Sequence, residues 1–140
     1  MKDFYAAAKY AVAVVPAVHT ATAVGIIIDR KGFDAVTFAL VAGAVTTADG
    51  SNHFTMTLDV GDAANLSDAA TAPAADLQGT YPAINHATNF DNKFVGKVTY
   101  RGNKRYVRVT MTETGTADAA FAVIAALTNA GVEPVRNPAA

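Results

Sequence analysis

Apolar and polar residues alternate with a period of two along much of this chain, and that period predicts β-strands. Residues 33–44 give the cleanest case. Val36, Phe38, Leu40 and Ala42 share one face, while Thr37, Ala39 and Val41 take the other, so the strand is apolar inside and small on both sides. Residues 53–60 alternate again, with Phe54, Met56, Leu58 and Val60 inward and Thr55, Thr57 and Asp59 outward. From His19 onward, Thr20, Thr22, Val24 and Ile26–Ile28 form β-branched text of strand composition. Further strands are expected at 93–101, 104–113 and 119–127. Residues 99–112 read as a pair of strands joined by a tight Gly102-Asn103 turn, and Asp49-Gly50 is a second hairpin signal.

Between these segments the pattern breaks in recognisable ways. Asp29-Arg30-Lys31-Gly32 and Thr114-Gly115-Thr116 are turns. Residues 61–78 are rich in Ala, Asp and Thr, with Pro73 in their midst and no sustained apolar period, so a long loop is expected. Within it, residues 74–77 suit one helical turn stopped at Gly79, and residues 81–92 continue as loop. At the start, Phe4, Tyr5 and Ala8 fall on one side of a short helix, and Pro16 ends whatever precedes it. Residues 129–140, with Gly131, Pro134 and Pro138, read as an extended tail. Six or seven strands with turns between them predict an all-β chain, a two-sheet β-sandwich of jelly-roll type with one long loop and extended termini. The expected organisation is an N-terminal arm at 1–18, the sandwich at 19–128 and a tail at 129–140.

Composition narrows the function classes. A chain of 140 residues can bury a full core as one domain. With no cysteine it has no disulfide framework, thiolate metal site or cysteine nucleophile. Eleven basic and twelve acidic residues leave a net charge of −1, which disfavours a phosphate-neutralising surface, so no nucleic-acid partner is expected. No apolar stretch approaches the ~20 residues that span a bilayer, so no membrane partner is expected. Lys2, the apolar run 10–18 and Ala21-Thr22-Ala23 imitate a secretory signal, but Asp3 and Lys9 interrupt the approach and Pro16 breaks the run. Charged residues amount to only 16%, against ~25% in an average soluble domain. So sparse a charged surface suits an exterior covered by copies of the chain or by a partner.

Motifs for chemistry are absent. His19, His53 and His86 stand more than thirty residues apart and form no metal-ligand spacing. Asp59, Asp62 and Asp68 lack the alternate-residue geometry of a calcium loop. Ser51 and Ser67 sit in no nucleophile elbow. The expectation is no enzyme, no catalytic residues, no metal and no cofactor. Two arginines stand out. Arg105 falls on the face of Val107, Val109 and Met111, at the end of a buried face, where it needs a carboxylate or carbonyl partner or must reach solvent. Arg108 shares the opposite face with Tyr106.

Taken together, several segments resemble a family of tailed-bacteriophage and prophage virion proteins. They are Met1-Lys2-Asp3-Phe4-Tyr5, Pro16-Ala17-Val18, the run from Ile28 to Phe38, Gly43-Ala44-Val45, the run from Ala74 to Gly79 and, most strongly, the run from Val95 to Val109. The chain departs from that family after Leu58, where an acidic loop is usual and residues 59–68 are instead alanine-rich. The resemblance implies a head cement or decoration protein that bridges major capsid protein subunits on the virion surface. It would be made in the host cytoplasm and be a homo-oligomer, trimer or dimer. Candidate subunit or capsid contacts are Phe4, Tyr5, Tyr10, Arg105, Arg108 and Arg136. Two other readings stand beside it. One is a tail or neck component. The other is a carbohydrate-binding or host-attachment module, for which Tyr81, Phe90, Tyr100 and Tyr106 are the available aromatics, and the Lys104–Arg108 strand resembles discoidin-like jelly rolls.

Overall fold

The computed structural model describes residues 4–130. A helical turn, α1 (Phe4–Ala7), leads into β1 (Lys9–His19), β2 (Ala23–Val24), β3 (Ile28–Asp29), β4 (Phe33–Thr47) and β5 (His53–Gly61). Short pieces follow: β6 (Ala70–Thr71), a 3₁₀ turn (Ala74–Asp76), β7 (Leu77–Gln78), β8 (Ala83–Ile84) and α2 (Ala87–Phe90). The chain ends in β9 (Phe94–Tyr100), β10 (Tyr106–Thr114) and β11 (Asp118–Ala130). No helix among the described residues is long and apolar enough to cross a membrane.

These strands form an all-β sandwich of two antiparallel sheets. The first runs β1-β11-β4-β9-β7. In the second, β10 pairs with β5 on one side and with β2 and β3 on the other, and β5 carries β6 and β8 on its free side. The first long strand thus lies beside the last, and the chain changes sheet at each step from β3 to β4, β4 to β5, β9 to β10 and β10 to β11. That is jelly-roll connectivity. The period-two reading is borne out: Val36, Phe38 and Leu40 of β4 and Phe54, Met56 and Leu58 of β5 are fully buried, facing each other between the sheets. Phe54 meets Phe121 edge-on, with ring centroids 5.0 Å apart.

Both expected hairpins are corners between sheets. The strands flanking Gly102-Asn103 belong to different sheets, β9 to the first and β10 to the second, and so do β4 and β5 around Asp49-Gly50. A Gly-containing turn reverses the chain equally well within a sheet or between two, so local sequence does not distinguish them. Long-range pairing does.

The expected boundary at residue 18 falls inside β1, which pairs with β11 from Lys9↔Leu127 to His19↔Ala119. Most of the expected arm is therefore an edge strand. Pro16 sits within a register shift between Val14 and Ala17, on the edge, where its missing N–H leaves no ladder bond unmade. An earlier shift in β1 lets two consecutive residues, Ala13 and Val14, both enter the core. The long segment after β5 is stitched to both sheets by its two-residue strands and by Ala72 N–H donating to Leu58 O (2.9 Å). Of the expected tail, only residues 129 and 130 are described, and they end β11.

Candidate functional site

The two sheets differ in what they show to the outside. On the second sheet the outward register pairs Arg108↔Asp59, Thr110↔Thr57 and Thr112↔Thr55 are polar, with Tyr106↔Gly61 at one end and Val24, 62% exposed, beside Thr110 on the short β2. Arg108 and Asp59 approach to 3.6 Å. On the first sheet the outward pairs run through four strands. Tyr10, Ala126, Thr37 and Thr99 form one row, and Val12, Ile124, Ala39 and Lys97 the next. Ala122, Val41 and Phe94 make a third row, and Val18 with Ala120 a fourth. Lys97 is the one charge in these rows. Phe94 (57% exposed), Val18 (68%) and Val41 (43%) stand open to solvent. Beside them lies a shallow apolar depression of about 400 Å³, floored by Gly43, Ala120 and Ala122 and walled by Pro16, Val18 and Val41. Together these residues make a contiguous, largely apolar outer surface.

A second feature lies at one end of the sandwich, where the β3–β4 corner meets the β9–β10 corner. Arg30 is buried there, 6% exposed, and its guanidinium donates to three backbone carbonyls: Lys104 O (2.6 Å), Asp34 O (2.9 Å) and Gly102 O. It also lies over the Tyr100 ring, 4.7 Å from the centroid. Burial pulls the Arg30 pKa below its ordinary value, and Tyr100, Asp34 and Asp76 oppose that shift. No carboxylate among the described residues bonds to it. Tyr100 is itself fully buried, and its hydroxyl accepts from Lys104 N–H at 3.2 Å.

Around Arg30 the same two corners wall a depression of about 420 Å³, lined by Lys31, Phe33, Asp34, Arg101, Asn103 and Arg105 among others. Arg105 is neutralised by a two-pronged pair with Asp29, at 2.9 Å from both Nε and Nη2, which holds the Asp29 carboxyl below the usual aspartate range. Lys104 reaches Asp62 at 2.8 Å and lowers that carboxyl in the same way.

The candidate contacts do not converge. Tyr10 lies on the apolar outer face, Tyr5 is 81% exposed on α1, Arg105 is at the basic corner and Arg108 is on the opposite, polar sheet. The Phe4 side chain and Arg136 lie outside the described residues. Arg105 is exposed rather than at the end of a buried face, because the chain bends out of the core between Tyr100 and Tyr106. Of the four aromatics considered for glycan stacking, Tyr100 is inaccessible and the Tyr81 hydroxyl accepts from Leu58 N–H at 3.4 Å. Of the three acidic residues weighed as calcium ligands, Asp59 faces Arg108, Asp62 holds Lys104 and Asp68 accepts from the N–H groups of Asp62 and Ala63. No group of three or more His, Asp or Glu placed to hold a metal occurs among the described residues.

Sequence reasoning missed Arg30, which sits in a polar turn tetrad with no local mark of burial. Two of its three carbonyl partners come from more than seventy residues away. The outer apolar face carried a signal, since residues 119–127 and 36–42 are apolar or small on both faces. No protein-family model matches this chain, and no curated protein matches it.

Proposed function

We propose that this chain is a non-enzymatic structural protein of a tailed-phage or prophage virion. In this reading it is a head cement or decoration protein that bridges and stabilises major capsid protein subunits from the outer surface of the shell. The observation that carries the reading is the outer face of the first sheet, a charge-poor surface of mainly Val, Ala, Ile and Phe, with Tyr10, Thr37, Thr99 and Lys97 in two of its rows. Such a face favours burial against another protein, because each apolar group it withdraws from water contributes to association.

The size of the face suits repeated rather than solitary binding. Four strands spaced ~4.8 Å apart and seven residues of ~3.3 Å rise give a footprint of roughly 450 Å². That is about half of the ~800 Å² that one partner contributes to a standard interface. One such contact is weak. Many identical contacts on a symmetric shell, made by a chain that is itself a dimer or trimer, convert weak binding into stable locking.

Co-sedimentation of the purified protein with expanded shells lacking it tests the reading. Saturable binding at a fixed ratio to the major capsid protein, with a raised shell disruption temperature, is the expected result. No association at micromolar concentration would overturn it.

A further inference from the structure

We propose that the basic corner is a binding site for carboxylates, and that its ligand is an acidic peptide segment of a partner protein. Several cations at this end of the sandwich already have an anion. Lys104 has Asp62, Arg105 has Asp29, and Arg108, further along β10, faces Asp59. The remaining three, Arg30, Lys31 and Arg101, have no carboxylate in hydrogen-bond or ion-pair contact among the described residues, and all three line the same 420 Å³ depression.

Each of the three contributes differently. Arg30 is a fixed, buried charge. Its three bonds to carbonyls hold it rigidly and leave its full positive charge uncompensated by any bonded anion. Being poorly solvated, that charge is weakly screened and acts on the depression above it more strongly than a surface arginine would. Lys31 and Arg101 are exposed, one on each wall, with no hydrogen bond or ion pair ending on either cationic head group. They are the groups that would touch the ligand, with Arg101 able to grip a carboxylate through two parallel N–H bonds. Asp34 is the lone carboxylate of the lining. Counting Arg105 with its partner Asp29 as neutral, and including Asp76 beside Gly102, which acts on Arg30 through space, the site keeps three cations against two anions.

Shape and charge favour a peptide over the alternatives. The depression is open and shallow, so it would grasp a protruding side chain rather than enclose a free metabolite. Phe33 on its wall offers an apolar surface to the methylenes of a Glu stem. The basic patch is confined to two corners on a chain of net charge −1, too little for the extended phosphate tracking that nucleic acid requires. This inference concerns the corner, not the outer face of the first sheet, and stands independently of what that face binds.

Fluorescence anisotropy of a labelled peptide of alternating Glu and Gly, titrated with the full chain at low salt, tests it without any shell present. Saturable binding that weakens as salt rises is expected. Arg101→Ala should weaken it roughly tenfold, the loss typical of one charge-assisted contact. Arg101→Lys should recover part of that loss, and Lys31→Ala combined with Arg101→Ala should abolish binding. Both side chains are exposed, so the melting temperatures of these variants should match the parent. Lys93→Ala removes the same charge outside the depression and should leave binding intact. Three results would overturn the proposal. One is equal binding by the double variant, and another is an equal loss in Lys93→Ala. The third is displacement of the peptide by equimolar inorganic phosphate or by a short DNA duplex, which would make the site a general anion or nucleic-acid site.

Discussion

Arg30 is the one charged side chain buried among the described residues, and its role follows from what its removal leaves behind. Three carbonyls, on Asp34, Gly102 and Lys104, turn toward it. Each buried carbonyl deprived of a donor costs about 1–3 kcal/mol, reduced here by water entering from the open depression. Arg30→Met should therefore destabilise the protein by about 2–4 kcal/mol in urea denaturation. Arg30→Lys should rescue little, because an ammonium cannot match three carbonyls with a planar fork. A loss under 1 kcal/mol for the Met variant would show that the two corners hold together without this residue. Acid sensitivity has a separate source. Asp29 and Asp62 have folded pKa values held down first by their bonds to Arg105 and Lys104, and Asp68 by backbone N–H groups. For a depressed carboxylate the stabilisation is present above the unfolded value, about 3.9, and is lost as pH falls through the lower folded value. The urea midpoint should accordingly decline below about pH 4. Asp29→Asn and Asp62→Asn together should flatten that decline, as pH-dependent denaturation curves would reveal.

Elements are joined across the sandwich by close backbone approach as well as by packing. Residues 25 and 26, between β2 and β3, bond to both sheets at once. Gly25 N–H donates to Val109 O of β10, and Ile26 N–H donates to Ala13 O of β1, each at 2.8 Å. A Cβ on Gly25 would stand 2.5 Å from Ala13 O and 2.6 Å from Val109 O, and both obstacles are backbone. Gly25→Ala should force the crossing apart and cost about 2–4 kcal/mol. Hydrogen exchange should then report faster opening of β1 than of β5, since β1 is the edge strand. Unchanged protection of the Ile26 amide would contradict this. The same element shows how far local reading goes. The β-branched text from His19 to Ile28 predicted a strand, yet only Ala23–Val24 and Ile28–Asp29 pair beyond β1, and Gly25 carries no local mark. Its purpose depends on two carbonyls from residues 13 and 109, which only the folded chain brings within reach.

For the molecule as a whole, the two exteriors separate stability from assembly. Phe94 and Val41 face outward as a cross-strand pair, so Phe94→Asp or Val41→Asp should cost about 1 kcal/mol of unfolding stability, the span of strand propensities, and leave the fold intact. On the proposed function, the same variants should lose co-sedimentation with shells, because an introduced carboxylate must be desolvated on docking. Retained docking with an intact fold would remove the outer face of the first sheet as the contact surface. Variants of the outer threonines of the second sheet, Thr55→Asp or Thr57→Asp, provide the matched comparison and should dock normally.

The all-β class and the inward residues of β4 and β5 were legible in the two-residue period, because a pleated strand sends every second side chain to the same side whatever it pairs with; β1, read as an arm, and the outward turn of Arg105 were not. Residues 36–42 read as apolar on one face and small on both, and 119–127 as an apolar strand, without saying that their outer faces lie side by side in one sheet. Which strands are neighbours was not written locally. Gly102-Asn103 and Asp49-Gly50 read as hairpins and are corners, Pro16 read as a stop and sits in an edge-strand bulge, and Arg30 read as a solvated turn and is buried. In each case the outcome depended on groups dozens of residues away, competing for the same backbone donors and acceptors. A strand's period is a property of its own covalent geometry. Its partner, its edge position and the burial of one charge are properties of the closed sandwich.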